Sequence, residues 1–160
     1  MKKFRVGNGY DVHRLAEGLQ LTLGGVKIEH DKGCVAHSDG DAVIHALCDA
    51  LLGAAALGDI GKHFPDTSDE FKGIDSRILL RRTASLLRQK GWQIGNVDCT
   101  IVLQRPKVAP YIEQMRQEMA NAMEIDTDDV AVKATTTEKL GFTGREEGVA
   151  AYAVALIFHD

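Results

Sequence analysis

Gly9-Tyr10-Asp11-Val12-His13-Arg14, read with Ala36-His37-Ser38-Asp39-Gly40-Asp41-Ala42-Val43-Ile44-His45 further along, decides how this chain folds. Phe4 to His13 reads as a strand interrupted by Gly7 and Gly9. The two-residue period of its side chains puts Asp11 and His13 on one face. His45 falls one to two turns inside a helix that begins at Ser38, where Asp41, three residues on, resembles a shortened capping box. A strand offering a carboxylate and an imidazole, with a helix offering a second imidazole, makes three ligands and leaves a fourth position open. A catalytic zinc needs that arrangement, whereas structural sites close all four positions and lean on cysteine. The spacing is also that of a turn aspartate beside ordinary polar histidines, because Asp-x-His is a short and common string.

From Ala42 to Leu57 the helix is so apolar that most of its circumference must be buried. Asp41, His45 and Asp49 nonetheless recur at i, i+4 and i+8 as one polar stripe. Buried ionisable groups have to be paired, hydrogen-bonded or metal-bound. On that ground the stripe reads as a ligand row, with Asp49 as the acceptor that orients a ligating imidazole; the alternative is a stripe facing water.

Outward from this centre, Leu19 to Ile28 is a hairpin turning at Gly24-Gly25. Gly58-Asp59-Ile60-Gly61 ends the helix, and Lys62 to Asp69 is a turn-rich loop that a ligand could approach closely. Ile74 to Lys90 is an amphipathic helix closed by Gly91, with Arg81, Arg82, Arg88 and Lys90 as a solvated face. Val97 to Leu103 is a strand that Gln104-Arg105-Pro106-Lys107 breaks. A helix from Val108 to Met123 follows, with Pro110 tolerated in its first turn. Lys107, just ahead of that helix, could meet a phosphate. Asp129 to Ala134 is a strand ending in Thr135-Thr136-Thr137-Glu138-Lys139. Its hydroxyls suit phosphate oxygens and Glu138 suits a hard divalent cation, although threonines also simply favour strands. Gly141 to Arg145 is a glycine-flanked loop, and Val149 to His159 is a long apolar final strand.

The expected fold is α/β: residues 1–160 as a single domain, with one mixed sheet of about four to five strands and helices mainly on one face. A sheet face left bare needs another cover, and the small-residue, apolar last strand points to a second copy of the chain. With 160 residues and 44% hydrophobic content there is enough chain for a real core. A net charge of −4 without a basic run argues against nucleic-acid or membrane-surface work. No stretch is long enough to span a bilayer, and Met1 to Arg5 begins like a signal peptide without its apolar region. Cys34, Cys48 and Cys99 are odd in number and widely spaced, so a reduced, cytoplasmic protein is expected.

Five blocks, Tyr10-Asp11-Val12-His13, Ala36 to Asp41, Asp59-Ile60-Gly61, Phe64-Pro65-Asp66-Thr67 and Lys133 to Glu138 running on to Gly148, together resemble the 2-C-methyl-D-erythritol 2,4-cyclodiphosphate synthases over essentially the whole chain. The resemblance implies a homotrimer with active sites between subunits. It implies a substrate, 4-diphosphocytidyl-2-C-methyl-D-erythritol 2-phosphate, whose 2-phosphate attacks the β-phosphorus and expels CMP, in non-mevalonate isoprenoid synthesis. By the same resemblance Asp11, His13 and His45 bind one Zn²⁺ per site, and Glu138 contacts a Mg²⁺ or Mn²⁺ that arrives with substrate. His37 and Thr136 match positions that stabilise the transition state. Ser38, Asp59, Ile60 and Gly61 match the erythritol subsite, with Phe64, Pro65, Asp66, Thr67 and Ser68 as the adjoining loop. Leu103, Gln104, Arg105, Pro106, Lys107, Val108 and Ala109 match the cytidine pocket, with Leu103 and Val108 standing where Ala and Met are expected. Thr135 and Thr137 match positions near the phosphates. Phe142 and Arg145 match a region at the trimer axis where some relatives bind isoprenoid diphosphates.

Overall fold

The computed structural model describes residues 1–160. Strands are β1 (Lys3–Glu17), β2 (Leu21–Leu23), β3 (Val26–Ile28), β4 (Lys32–Cys34), β5 (Gln93–Val102), β6 (Val130–Thr135) and β7 (Gly148–His159). Helices are α1 (Ala42–Ala54), α2 (Ile60–His63), α3 (Ser76–Gln89), α4 (Ile112–Met123) and α5 (Gly141–Gly144), with short 3₁₀ turns at Asp69–Phe71, Ala109–Tyr111 and Thr127–Asp129. Five strands make one mixed sheet in the order β4-β1-β7-β5-β6, in which only β5 and β6 run parallel. The hairpin β2-β3 stands apart as a two-stranded ribbon. The expected α/β class and strand number therefore hold.

Gly7 and Gly9 do not interrupt β1; they let it lie against α1. A Cβ on Gly9 would fall 1.8 Å from the carbonyl oxygen of Ala46, and one on Gly7 2.0 Å from that of Ala50. Side chains on this face of β1 alternate with Phe4, Val6, Tyr10 and Val12, which are exposed on the other. Tyr152 and Val154 of β7 extend that open face, with Tyr152 paired to Tyr10 and Val154 to Asn8. The helices cover the opposite face, where Ile44, Leu47, Leu51, Leu80, Met115 and Ile157 are fully buried.

Three local expectations change. The α1 N-cap is Asp41, not Ser38, because the Asp41 carboxylate accepts from Ile44 N and also from Gly24 N and Gly25 N in the hairpin turn. Lys32–Cys34 forms a strand against Leu15–Glu17, which its composition does not announce. Gly141 to Arg145 is not a free loop: it winds into one helical turn with Thr143 and Gly144 buried.

Candidate active site

β1 and α1 bring Asp11, His13 and His45 together. Asp11 Oδ2 lies 2.8 Å from His13 Nε2 and 3.2 Å from His45 Nδ1, and the two ring nitrogens are 3.1 Å apart. The edges of a tetrahedron drawn around Zn²⁺ with ligands about 2.0 Å away are roughly 3.3 Å, so the triangle has the size a zinc ion requires. Two imidazoles and a carboxylate also have the right chemistry, and three ligands leave a fourth position open.

Burial pushes the Asp11 carboxyl up, but hydrogen bonds and charge from His13 and His45 outweigh it and hold the group at about 2. Burial pushes His45 down, and the bond and charge of Asp11 outweigh that as well, leaving the ring above its ordinary value. Each group thus favours the charge its neighbour needs. A cation at the centre would take the place of the ring protons in the same role.

The stripe on α1 divides into three jobs. His45 is the ligand candidate, Asp41 is fully buried under the hairpin turn, and Asp49 accepts from Ile60 N at 2.7 Å. Asp49 is therefore not the acceptor behind an imidazole, as expected; it anchors the start of α2. The group behind His45 is Ser76, whose Oγ lies 2.9 Å from His45 Nε2. Ser76 escaped notice because, in sequence, it is only a small polar residue in the first turn of the helix expected over Ile74 to Lys90.

A cavity of about 420 Å³ opens beside the tripod, lined by His13, His37, Ser38, His45, Ile60, Gly61, Phe64, Pro65 and Asp66 among others. His37 Nε2 donates to the Ser68 carbonyl at 2.9 Å, tying the loop to this wall. Asp59 and Ser68 cap backbone N–H groups at Lys62 and Glu70, and Thr67 is an exposed part of the same loop.

A second hollow of about 210 Å³ gathers Leu103, Gln104, Pro106, Lys107, Val108, Ala109, Thr135 and Thr136. Arg105 turns away to Glu146, 2.7 Å from its Nε. Thr137 Oγ1 donates to Leu140 O at 2.5 Å, and Glu138 is exposed on the same turn. Phe142 lines a third hollow with His13, Arg14 and Glu147, and Arg145 pairs with Glu147 at 2.9 Å.

Tripod and threonine turn sit at the same end of the sheet. Val12 pairs with Ala150, Ala150 with Val102, and Val102 with Thr135, which places Thr135 three strands from Val12. At a strand spacing of about 4.8 Å, roughly 14 Å separates them.

The chain matches the profile of the YgbB family over residues 4–158. It is 66% identical over 153 residues to 2-C-methyl-D-erythritol 2,4-cyclodiphosphate synthase of Azotobacter vinelandii, covering 96% of this chain and 98% of that protein. A solved CDP complex of IspF from Plasmodium falciparum superposes with a TM-score of 0.84 at 36% identity, covering 96% of this chain and 95% of that one. The bifunctional IspDF of Campylobacter jejuni superposes with a TM-score of 0.96 at 41% identity; all of this chain is covered, but it spans only 43% of that protein.

Proposed function

This chain belongs to the YgbB family of 2-C-methyl-D-erythritol 2,4-cyclodiphosphate synthases, and on that premise we propose how its own residues carry out the cyclisation. The 2-phosphate of 4-diphosphocytidyl-2-C-methyl-D-erythritol 2-phosphate attacks the β-phosphorus of the same molecule. The bond to the α-phosphate oxygen breaks, CMP leaves, and the 2,4-cyclodiphosphate closes, which makes the enzyme a phosphorus–oxygen lyase. The single observation that carries this reading is the Asp11–His13–His45 triangle, whose two imidazoles line the cavity, in a chain of this family.

A phosphate monoester is anionic at neutral pH, so the attack needs alignment and charge neutralisation more than a base. Asp11, His13 and His45 would hold a Zn²⁺, which would supply positive charge against the diphosphate. Ser38, Asp59, Ile60 and Gly61 hold the erythritol part, and Phe64 to Ser68 close over it. His37 and Thr136 donate to the charge that grows on the phosphates. Thr135 and Thr137 flank them, and Glu138 would hold a Mg²⁺ or Mn²⁺ entering with substrate. Residues 103–109 receive the cytidine, in keeping with the CDP complex of the Plasmodium falciparum relative.

Within one chain the tripod and the threonine turn are too far apart to grip one diphosphate. That separation and the bare apolar sheet face support a homotrimer in which the tripod of one copy meets the turn of the next. Phe142 and Arg145 then face the shared axis, where an isoprenoid diphosphate fits. No helix is long and apolar enough to cross a membrane. The three cysteines are unbonded and buried, and we place the reaction in the cytoplasm.

The test is incubation with the CDP-linked 2-phosphate, with and without chelator, following CMP and the phosphorus products. CMP with a cyclic diphosphate, lost on chelation, is the expected result. Linear hydrolysis products would instead mark a metal hydrolase.

A further inference from the structure

Resting on the cyclisation reading above, we propose that Gln104 is a positioning residue, whose side-chain amide clasps the nucleotide loop to the threonine turn and holds that turn in the shape that presents Glu138. β5 and β6 run side by side as far as Val102 and Thr135, and Leu103 N still donates to Thr135 O at 3.0 Å. Past that rung the two stretches part, one toward Pro106 and the other into Thr136-Thr137-Glu138-Lys139. Gln104 bridges the gap: its Oε1 accepts from Lys139 N at 3.1 Å. A backbone N–H can only donate, so the amide has to turn its oxygen, not its nitrogen, to Lys139. The same side chain lines the hollow that Thr135 and Thr136 share with Lys107 and Val108.

The turn needs holding. Glu138 and Lys139 have φ of 53° and 67°, a left-handed backbone that residues with a Cβ adopt only at a cost. They are the only two consecutive non-glycine residues in the chain with that conformation. Most of the bonds that oppose the strain come from within the turn. Leu140 N donates to Thr137 O at 3.0 Å, Thr137 Oγ1 donates to Leu140 O, and Glu138 N donates to Thr136 Oγ1 at 3.2 Å. Gly144 packs so close that a Cβ on it would lie 2.2 Å from the Lys139 carbonyl carbon. Of these contacts only the Gln104 bond comes from the nucleotide loop. Arg105 crosses the same gap to Glu146, itself left-handed at φ 59°, but a largely exposed ion pair is screened and adds little. A nucleotide seated on residues 103–109 therefore firms the turn that carries Glu138, and the two ends of the substrate are gripped by one connected unit.

The first measurement needs no reaction: solvent exchange of the Lys139 amide, followed by NMR in ¹⁵N-lysine-labelled protein. Gln104 is half-buried at the surface, so its replacement leaves the core untouched. Gln104→Met, similar in length but without an acceptor, should exchange roughly 3–10-fold faster at Lys139, as the loss of one neutral hydrogen bond allows. Gln104→Glu, whose carboxylate still accepts, should keep the slow rate. The second measurement is calorimetry of CDP binding with and without Mn²⁺, CDP being the ligand of the Plasmodium falciparum relative. The extra affinity that Mn²⁺ brings should shrink roughly 3–10-fold in Gln104→Met. Adding Lys139→Gly should recover most of that loss, since glycine takes up left-handed backbone freely. A Gln104→Met protein with wild-type exchange at Lys139, or with the full Mn²⁺ gain, overturns the proposal, as does a loss that Lys139→Gly leaves unrepaired. Wild type that gains nothing from Mn²⁺ would sink the second cation of the cyclisation reading, while exchange at Lys139 still decides the clasp.

Discussion

Gly9 lies so close to Ala46 that a Cβ on the glycine would sit 1.8 Å from the alanine's carbonyl oxygen. Ala46 follows His45, and Gly9 is two residues before Asp11, so this contact sets how deeply the helix imidazole reaches toward the strand. Neither backbone can yield without moving the tripod.

Gly9→Ala should consequently cost about 3 kcal/mol, at the upper end of ordinary overpacking. In a chain of this size that lowers Tm by roughly 6–12 °C. Gly53→Ala is the contrast: within α1, its nearest foreign atom is Asn8 O at 4.0 Å. It should gain about 0.5–1 kcal/mol by restricting the unfolded chain. Calorimetry of the two variants separates crowding from a general intolerance of change in this helix.

His45→Ala should abolish stoichiometric Zn²⁺ binding and lower turnover at least about 10³-fold, as losing several kcal/mol of charge stabilisation requires. The protein should stay folded and assembled, as read by circular dichroism and sedimentation. Collapse to an unfolded chain would make the ion a structural one.

Asp41 predicts the pH response. Burial, with Asp39 nearby, pushes its carboxyl up to about 6, even though three backbone N–H groups pull the other way. A folded pKa above the unfolded value means the native state binds the extra proton, so this contribution to stability is present below about pH 4 and is lost as pH rises to about 6. The loss is at most about 3 kcal/mol. Asp41→Asn should remove that slope while weakening the bond to Gly25. Urea melts at several pH values check it.

Val154→Asp should put a charge into the bare sheet face and yield a 17.4 kDa species in sedimentation. Cyclisation should disappear with the assembly although the tripod is intact. Activity in that monomer would show that one chain holds a whole site.

Much of this could be read from residue order because its causes are local. Asp11 and His13 share a face through the strand period, and His45 lies on a helix whose apolarity betrays its burial. What escaped depends on distant partners. Asp41 replaces Ser38 as N-cap because of amides in the hairpin turn. Asp49 goes to Ile60 rather than to an imidazole. Ser76 reaches His45 only once α3 docks against α1, and no spacing rule foresees that. Gly7 and Gly9 look like flaws in a strand until the helix behind them is known.

The bare row of Phe4, Val6, Tyr10, Tyr152 and Val154 has a last consequence. A correctly folded single chain still carries a greasy wall, so association competes with clumping from the moment of synthesis. Yield of working enzyme should therefore climb more steeply than in proportion to chain concentration. Under the proposed trimer, dilution should lower activity without any heating.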